Sequence, residues 1–167
     1  MKNLILVVGI LLIYSNTKAQ DTSSDPFDLS NINSQIEEIG LPTYPSVREL
    51  YVTAQQLYDL ENCTEAIPAF ESLAKNANWL ANMITSGLEP YYDASYDDRK
   101  AYPYSKAQKL IPIESKANNL KEIRNIAFVR QANCHTKLAN NNKAVALYIK
   151  ALELIDIDNE ELWNEAR

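Results

Sequence analysis

Residues 143–154 read Lys143-Ala144-Val145-Ala146-Leu147-Tyr148-Ile149-Lys150-Ala151-Leu152-Glu153-Leu154. The run predicts a helix over 143–155, with Ala144 and Ala151 as small positions and Tyr148 as the large ring between them. Small residues let two helices approach closely, and large ones fill the gap to the next pair. Upstream, Asn140, Asn141 and Asn142 read as a turn, since Asn tolerates a left-handed backbone where Gly is absent. Before the turn, Lys121 to Ala139 keeps a helical period, with Ile113 as its earliest start. Ala117, Leu120, Ile123, Ala127, Phe128, Gln131, Ala132, His135 and Leu138 follow that period. Downstream, Glu160 to Arg167 begins a further helix.

The same grammar occurs earlier in the chain. Val47, Leu50, Tyr51, Ala54, Leu57, Tyr58 and Leu60 form an apolar stripe at spacings of three and four, with Ser46 as cap and Glu49 as its box partner. Glu61, Asn62 and Cys63 read as a polar turn. A second helix is expected from about Thr64, burying Ala66, Ile67, Phe70, Leu73 and Ala74, with Pro68 near its first turn. Two helices joined by so short a turn pack antiparallel. A third helix is expected from Asn78, burying Trp79, Leu80, Met83, Ile84 and Leu88 until Pro90 ends or kinks it. Tyr91 to Pro112 holds five tyrosines and two prolines, and only short helical turns are expected there.

Laid over each other, Glu65-Ala66-Ile67 with Phe70 matches Lys143-Ala144-Val145 with Tyr148, Ala54 matches Ala132, and Leu50 matches Phe128. These units resemble the tetratricopeptide repeat, a helix pair of about 34 residues. The resemblance is best over Asn125–Asp158. Leu73, where a small residue is usual, and Asp156, in place of the terminal proline, depart from the pattern. It implies an all-α fold, a short right-handed α-solenoid of antiparallel pairs, each pair hiding its bare face against the next. The offset of Ala66 from Ala144 exceeds two periods, and the excess is assigned to the Tyr/Pro-rich insertion. The expected divisions are a first pair over 46–76, an irregular middle repeat over 78–112, a last pair over 113–158 and the start of a terminal helix over 159–167.

The N-terminus reads differently. Lys2, then the largely apolar run Leu4–Tyr14, then a short polar stretch to Ala19 match a secretory signal peptide spanning 1–19. The run is too short to span a bilayer, which takes about 20 residues. Residues 20–45 read as a flexible acidic leader. Residues 1–19 contain Lys2 and Lys18 and no acid, so the cleaved chain carries 14 basic and 22 acidic side chains, a net −8. That charge argues against nucleic acid as a partner. The expected location is the periplasm, or outside the cell, of a Gram-negative bacterium, with no membrane insertion after cleavage. Export makes a disulfide between Cys63 and Cys134 chemically possible, but the two read as separate small core residues.

Catalytic chemistry has no support in the pattern, and no catalytic residue, cofactor or metal ligand is assigned. His135, the sole histidine, lies on an inner helix stripe beside no positioned nucleophile. Asp93, Asp97 and Asp98 lack the spacing and Gly of a calcium loop. There is no Cys-x-x-Cys and no Gly-rich phosphate loop. By the resemblance, the groove-facing positions are Arg48, Tyr51, Gln55 and Tyr58 in the first unit, and Val129, Asn133, Thr136 and Lys137 in the last. The family's carboxylate clamp sets a Lys four residues before an Asn; Asn133 is present, but Val129 stands in the Lys position. Tyr91, Tyr92, Tyr96, Tyr102 and Tyr104, with Arg99 among them, either bind a partner or cover the irregular middle repeat. The expected function is an exported scaffold for a protein or peptide partner. The alternative is a structural subunit of a larger envelope assembly, or the repeat portion of a larger protein, because no polar capping helix precedes Arg167.

Overall fold

The computed structural model describes residues 40–167. The expected signal peptide, 1–19, and residues 20–39 of the leader lie outside the described residues. Among the described residues the fold is all-α, as expected: α1 Tyr44–Asp59, α2 Cys63–Gly87, α3 Tyr96–Ala101, α4 Tyr104–Lys137, α5 Asn141–Leu154 and α6 Glu160–Ala166. The 34-residue α4 is central, and α1, α2, α5 and α6 all touch it. α2 and α4 make the most extensive packed pair, followed by α4 with α5 and α1 with α2.

Helix α1 starts two residues before the expected cap. Thr43 takes that role: its Oγ1 accepts from the Ser46 amide (3.2 Å), and Ser46 Oγ accepts from the Thr43 amide (2.9 Å). This is a reciprocal capping box in which Ser46, not Glu49, is the partner. Pro45 falls in the first turn, where no intrahelical N–H is required. Asn62 caps α2 by accepting from the Glu65 amide (3.4 Å).

The expected break between a second and a third helix does not occur. α2 runs unbroken for 25 residues because Leu73, Ala74, Ala77 and Ala81 continue the buried stripe of Cys63, Ala66 and Phe70 at three- and four-residue spacing. That burial outweighs the weak helix preference of Asn76 and Asn78. α4 likewise begins at Tyr104 and passes through Pro112, which sits on the exposed face. Residues 78–112 therefore supply the end of α2, the short α3 and the first turns of α4, and form no separate helix pair.

The main core joins Val47 and Ala54 of α1, Phe70 and Leu73 of α2, and Leu120, Ile123 and Ala127 of α4. Phe70 and Leu73 are fully buried, each contributing about 1.5–3 kcal/mol. A second cluster joins Val129 of α4, Ala151 of α5, Ile155, and Leu162 and Ala166 of α6. Val129 is therefore a core residue and does not face a groove; its side chain fills the junction of α4, α5 and α6.

The two short hairpin turns are built alike. Leu60 bonds back to Gln56 O, Glu61 to Tyr58 O and Asn62 to Leu57 O; 78 residues later Leu138 bonds to Cys134 O, Ala139 to Thr136 O and Asn140 to His135 O. Glu61 and Ala139 both take φ 58°. The left-handed residue of the second turn is thus Ala139, not an Asn of the 140–142 triplet. Asn140 precedes α5 with φ −87°, and Asn141 and Asn142 already lie within the helix.

Cys63 and Cys134 are a disulfide, not two separate thiols, their Cα atoms 5.0 Å apart across 71 residues of sequence. Packing sets the start of α2 against the end of α4, so the two buried sulfurs meet. No helix among the described residues is long and apolar enough to cross a membrane.

Candidate functional site

Of the sequence-predicted positions, Tyr58, Asn133 and Lys137 are brought together on one face. Asn133 Nδ2 donates to the Tyr58 hydroxyl (3.1 Å) and to Glu165 Oε1 (2.7 Å), and Asn133 Oδ1 accepts from the Tyr148 hydroxyl. Arg130 Nη1 donates to the same Glu165 oxygen, closing an ion pair. One side-chain network thereby ties α1, α4, α5 and α6. The Tyr58 ring meets Phe70 edge-on with centroids 6.0 Å apart. Its face receives the Arg130 guanidinium at 5.0 Å and the Lys137 ammonium at 5.7 Å, the geometry in which a ring quadrupole attracts a cation. Lys137 Nζ donates to Glu61 Oε1 (3.0 Å), and that hydrogen bond, ahead of charge attraction, raises the Lys137 pKa above its ordinary value.

The rest of α1 lies along the same helix in looser contact. Gln55 Nε2 donates to Asp59 Oδ1 (2.7 Å), and the Arg48 guanidinium stands 6.0 Å from the Tyr51 ring. Thr136 turns its hydroxyl back to Ala132 O (3.1 Å).

Between α1 and α6, with α4 as floor, lies a cleft of about 160 Å3 lined by Tyr51, Glu122, Ile126, Arg130, Asn159, Glu161, Leu162 and Glu165. That volume holds one side chain and falls below the few hundred Å3 of a small-molecule site. Its walls are apolar at Ile126 and Leu162. Three carboxylates rim it against one guanidinium, and Arg130 already pairs with Glu165. Arg130 Nε is buried with no acceptor. Of these residues the sequence reading reached only Tyr51. Glu122, Ile126 and Arg130 precede Asn133 at helical spacing on one stripe of α4, which is the signal that identifies them once Asn133 is placed.

The tyrosine segment divides. Tyr91 is buried and meets Tyr102 edge-on at 5.2 Å. The Arg99 guanidinium lies 4.8 Å from the Tyr91 ring; its Nη1 donates to Glu114 Oε1 (2.8 Å) and its Nη2 to Tyr92 O. The Glu114 hydrogen bond is the main cause of a raised Arg99 pKa. Lys121 Nζ donates to the Tyr92 hydroxyl. Tyr91, Tyr92, Arg99 and Tyr102 thus hold the α2–α4 connection onto α4. Tyr96 and Tyr104 point outward, 73% and 79% exposed. Among the described residues no hydrogen bond, ion pair or ring contact joins this segment to the Tyr58–Asn133 network.

Among the described residues no group of His, Cys, Asp or Glu stands close enough to hold a metal ion. Comparison with family models, with curated proteins and with solved structures gives no match to this chain.

Proposed function

We propose that this chain is an exported helical-repeat scaffold that holds a segment of a partner protein against the face formed by α1, α4 and α6, without catalysis of its own. The observation that carries the reading is the side-chain-sized cleft beside the Tyr58–Asn133–Glu165 network, apolar at Ile126 and Leu162 and acidic at Glu122 and Glu161. A segment that puts one apolar side chain into the cleft, with basic residues on either side, matches both features. The repeat arrangement is supported by the two like turns and by the docking of α6 on α4 and α5. Export is supported by the Cys63–Cys134 disulfide, since such bonds persist in oxidising compartments.

Fluorescence anisotropy with labelled ten-residue peptides tests the binding mode. Peptides with one Leu or Phe between lysines are expected to bind, and Glu122→Lys with Glu161→Lys to weaken them at least tenfold. Equal binding of acidic peptides, or no loss in that variant, overturns the reading. A second reading, a subunit of a larger envelope assembly, draws on Val145 and Ile149, adjacent on α5 and 55% and 54% exposed. Sedimentation of the processed chain separates the two, since a stable monomer disfavours obligate assembly.

A further inference from the structure

On the opposite side of α4, helices α2 and α5 stand apart and leave a channel floored by Arg124, Phe128, Gln131 and His135. These four follow one another at helical spacing, so Arg124 and His135 lie about 16 Å apart along the axis. Two adjoining hollows of about 380 and 420 Å3 fill the channel, sharing Glu71, Phe128, Gln131 and Lys150. That size suits a small organic ligand. Ala74, Phe128, Leu147 and Leu154 give it apolar walls.

The charge in the channel is unusual for this chain. Lys75, Arg124, Lys143 and Lys150 line it against Glu71 alone, a net +3 in a protein of net −6. None of these four cations forms an ion pair among the described residues; for the exposed lysines that is ordinary, but for a buried guanidinium it is not. Arg124 is the sharpest case, at 9% exposure. Its partners are neutral amide oxygens: Nη1 donates to Asn78 Oδ1 (2.7 Å), and Nε and Nη2 to Asn125 Oδ1 (3.0 Å each). Two of the five guanidinium N–H groups stay unused. Glu122, Asp156 and Asp158 border a hollow on the far side of Arg124, but none of them pairs with it. A buried cation without a counter-charge is costly, and the side chain that fixes it, Asn78, is itself a wall of the channel. Lys150 Nζ is drawn over the Phe128 ring at 4.4 Å, where the two hollows adjoin. At the far end His135, 7% exposed, has Nδ1 buried without a partner.

We propose that this channel is a binding site for an elongated organic anion, with an oxyanion head at Arg124 and Lys75 and an apolar body running past Phe128 and along Leu147 toward His135. The anion supplies the counter-charge that the chain does not, and the planar Arg fork suits a carboxylate or phosphate head. The site is independent of the α1–α6 cleft, on the other side of α4.

Isothermal titration of the full processed chain with decanoate, decanol, decyltrimethylammonium and inorganic phosphate tests it. Saturable 1:1 binding of decanoate is expected, at least tenfold tighter than decanol or phosphate, with no binding of the cation. Lys75→Glu with Lys150→Glu, both exposed positions, is expected to weaken decanoate at least tenfold while circular dichroism stays unchanged. Arg124→Gln is expected to do the same. If that variant fails to fold, the lysine pair decides. Decanol binding as tightly as decanoate, no decanoate binding, or undiminished binding in the lysine variant each overturns the proposal. None of these outcomes bears on peptide binding at Glu122 and Glu161.

Discussion

His135 shows what burial does to a single titratable ring. Its pKa is held below the ordinary 6.5, first by burial and then by the positive Lys143. The folded chain therefore keeps the ring neutral at a pH where the unfolded chain takes up a proton. Below about 6.5 the unfolded state binds more protons, so stability falls as pH drops toward the folded value; above that range this group contributes no pH dependence. His135 shares its hollow with Lys143, Lys150 and the exposed Glu71. The urea midpoint is expected to be lower at pH 5 than at pH 8, and His135→Gln to reduce that difference. An unchanged difference in the variant would show that other groups carry it. The same reasoning separates the arginines. Arg99 meets Glu114 and is raised, while Arg124 meets only amides and is lowered by its burial. Asn125 adjoins Arg124 in sequence, but Glu114 and Asn78, which separate the acid-paired arginine from the amide-held one, lie fifteen and forty-six positions from Arg99 and Arg124.

At the scale of elements, the two hairpin turns are the most repetitive feature of the chain. Each places a residue with a Cβ, Glu61 or Ala139, in the left-handed region, where such a residue is strained by about 1–2 kcal/mol. Glycine removes the strain but adds freedom to the unfolded chain. Ala139→Gly is expected to raise stability by about 0.5–1 kcal/mol net, read from urea unfolding, and Glu61→Gly to raise it by less, because that change also removes the exposed Glu61–Lys137 pair. A loss of stability would show that the turn is held by the side chain it carries. Helix lengths were harder to read than helix positions. The stripe through Ala54, Ala66, Phe70, Ala127, Ala132 and Ala144 marks faces that are buried. Lys75–Asn78 and Pro112 look like breaks in sequence, yet α2 and α4 pass through them. Each helix is long because the other covers it, and that mutual cover is not a local property.

The whole molecule is a set of helices gathered on α4 and closed by one covalent bond. The disulfide ties the first turn of α2 to the last turn of α4 across 71 residues. Chain-entropy arguments put the stabilisation from closing so long a loop at about 4 kcal/mol, a large part of the total for a domain of this size. Cys63→Ala with Cys134→Ala is expected to lower the unfolding free energy read from guanidinium titration by about 4 kcal/mol. The wild-type chain should match the double variant only after reduction. No difference between oxidised and reduced wild type would show that the bond does not constrain the unfolded chain.

Sequence alone determined the all-α class, most of the buried helix faces and the short hairpin turns, because these follow from helical periodicity and short loops; Tyr58, Asn133 and Lys137 were reached only through the repeat resemblance, and Leu60, Trp79 and Met83, read as buried, are exposed. Tertiary structure alone decided that Cys63 and Cys134 bond, that Val129 is core, and that Glu122, Ile126 and Arg130 line a cleft with α6. It also decided that Arg124 is buried beside amides rather than acids. The reason is physical: periodicity records which side of a helix avoids water, whereas a partner seventy residues away is chosen by how whole helices pack.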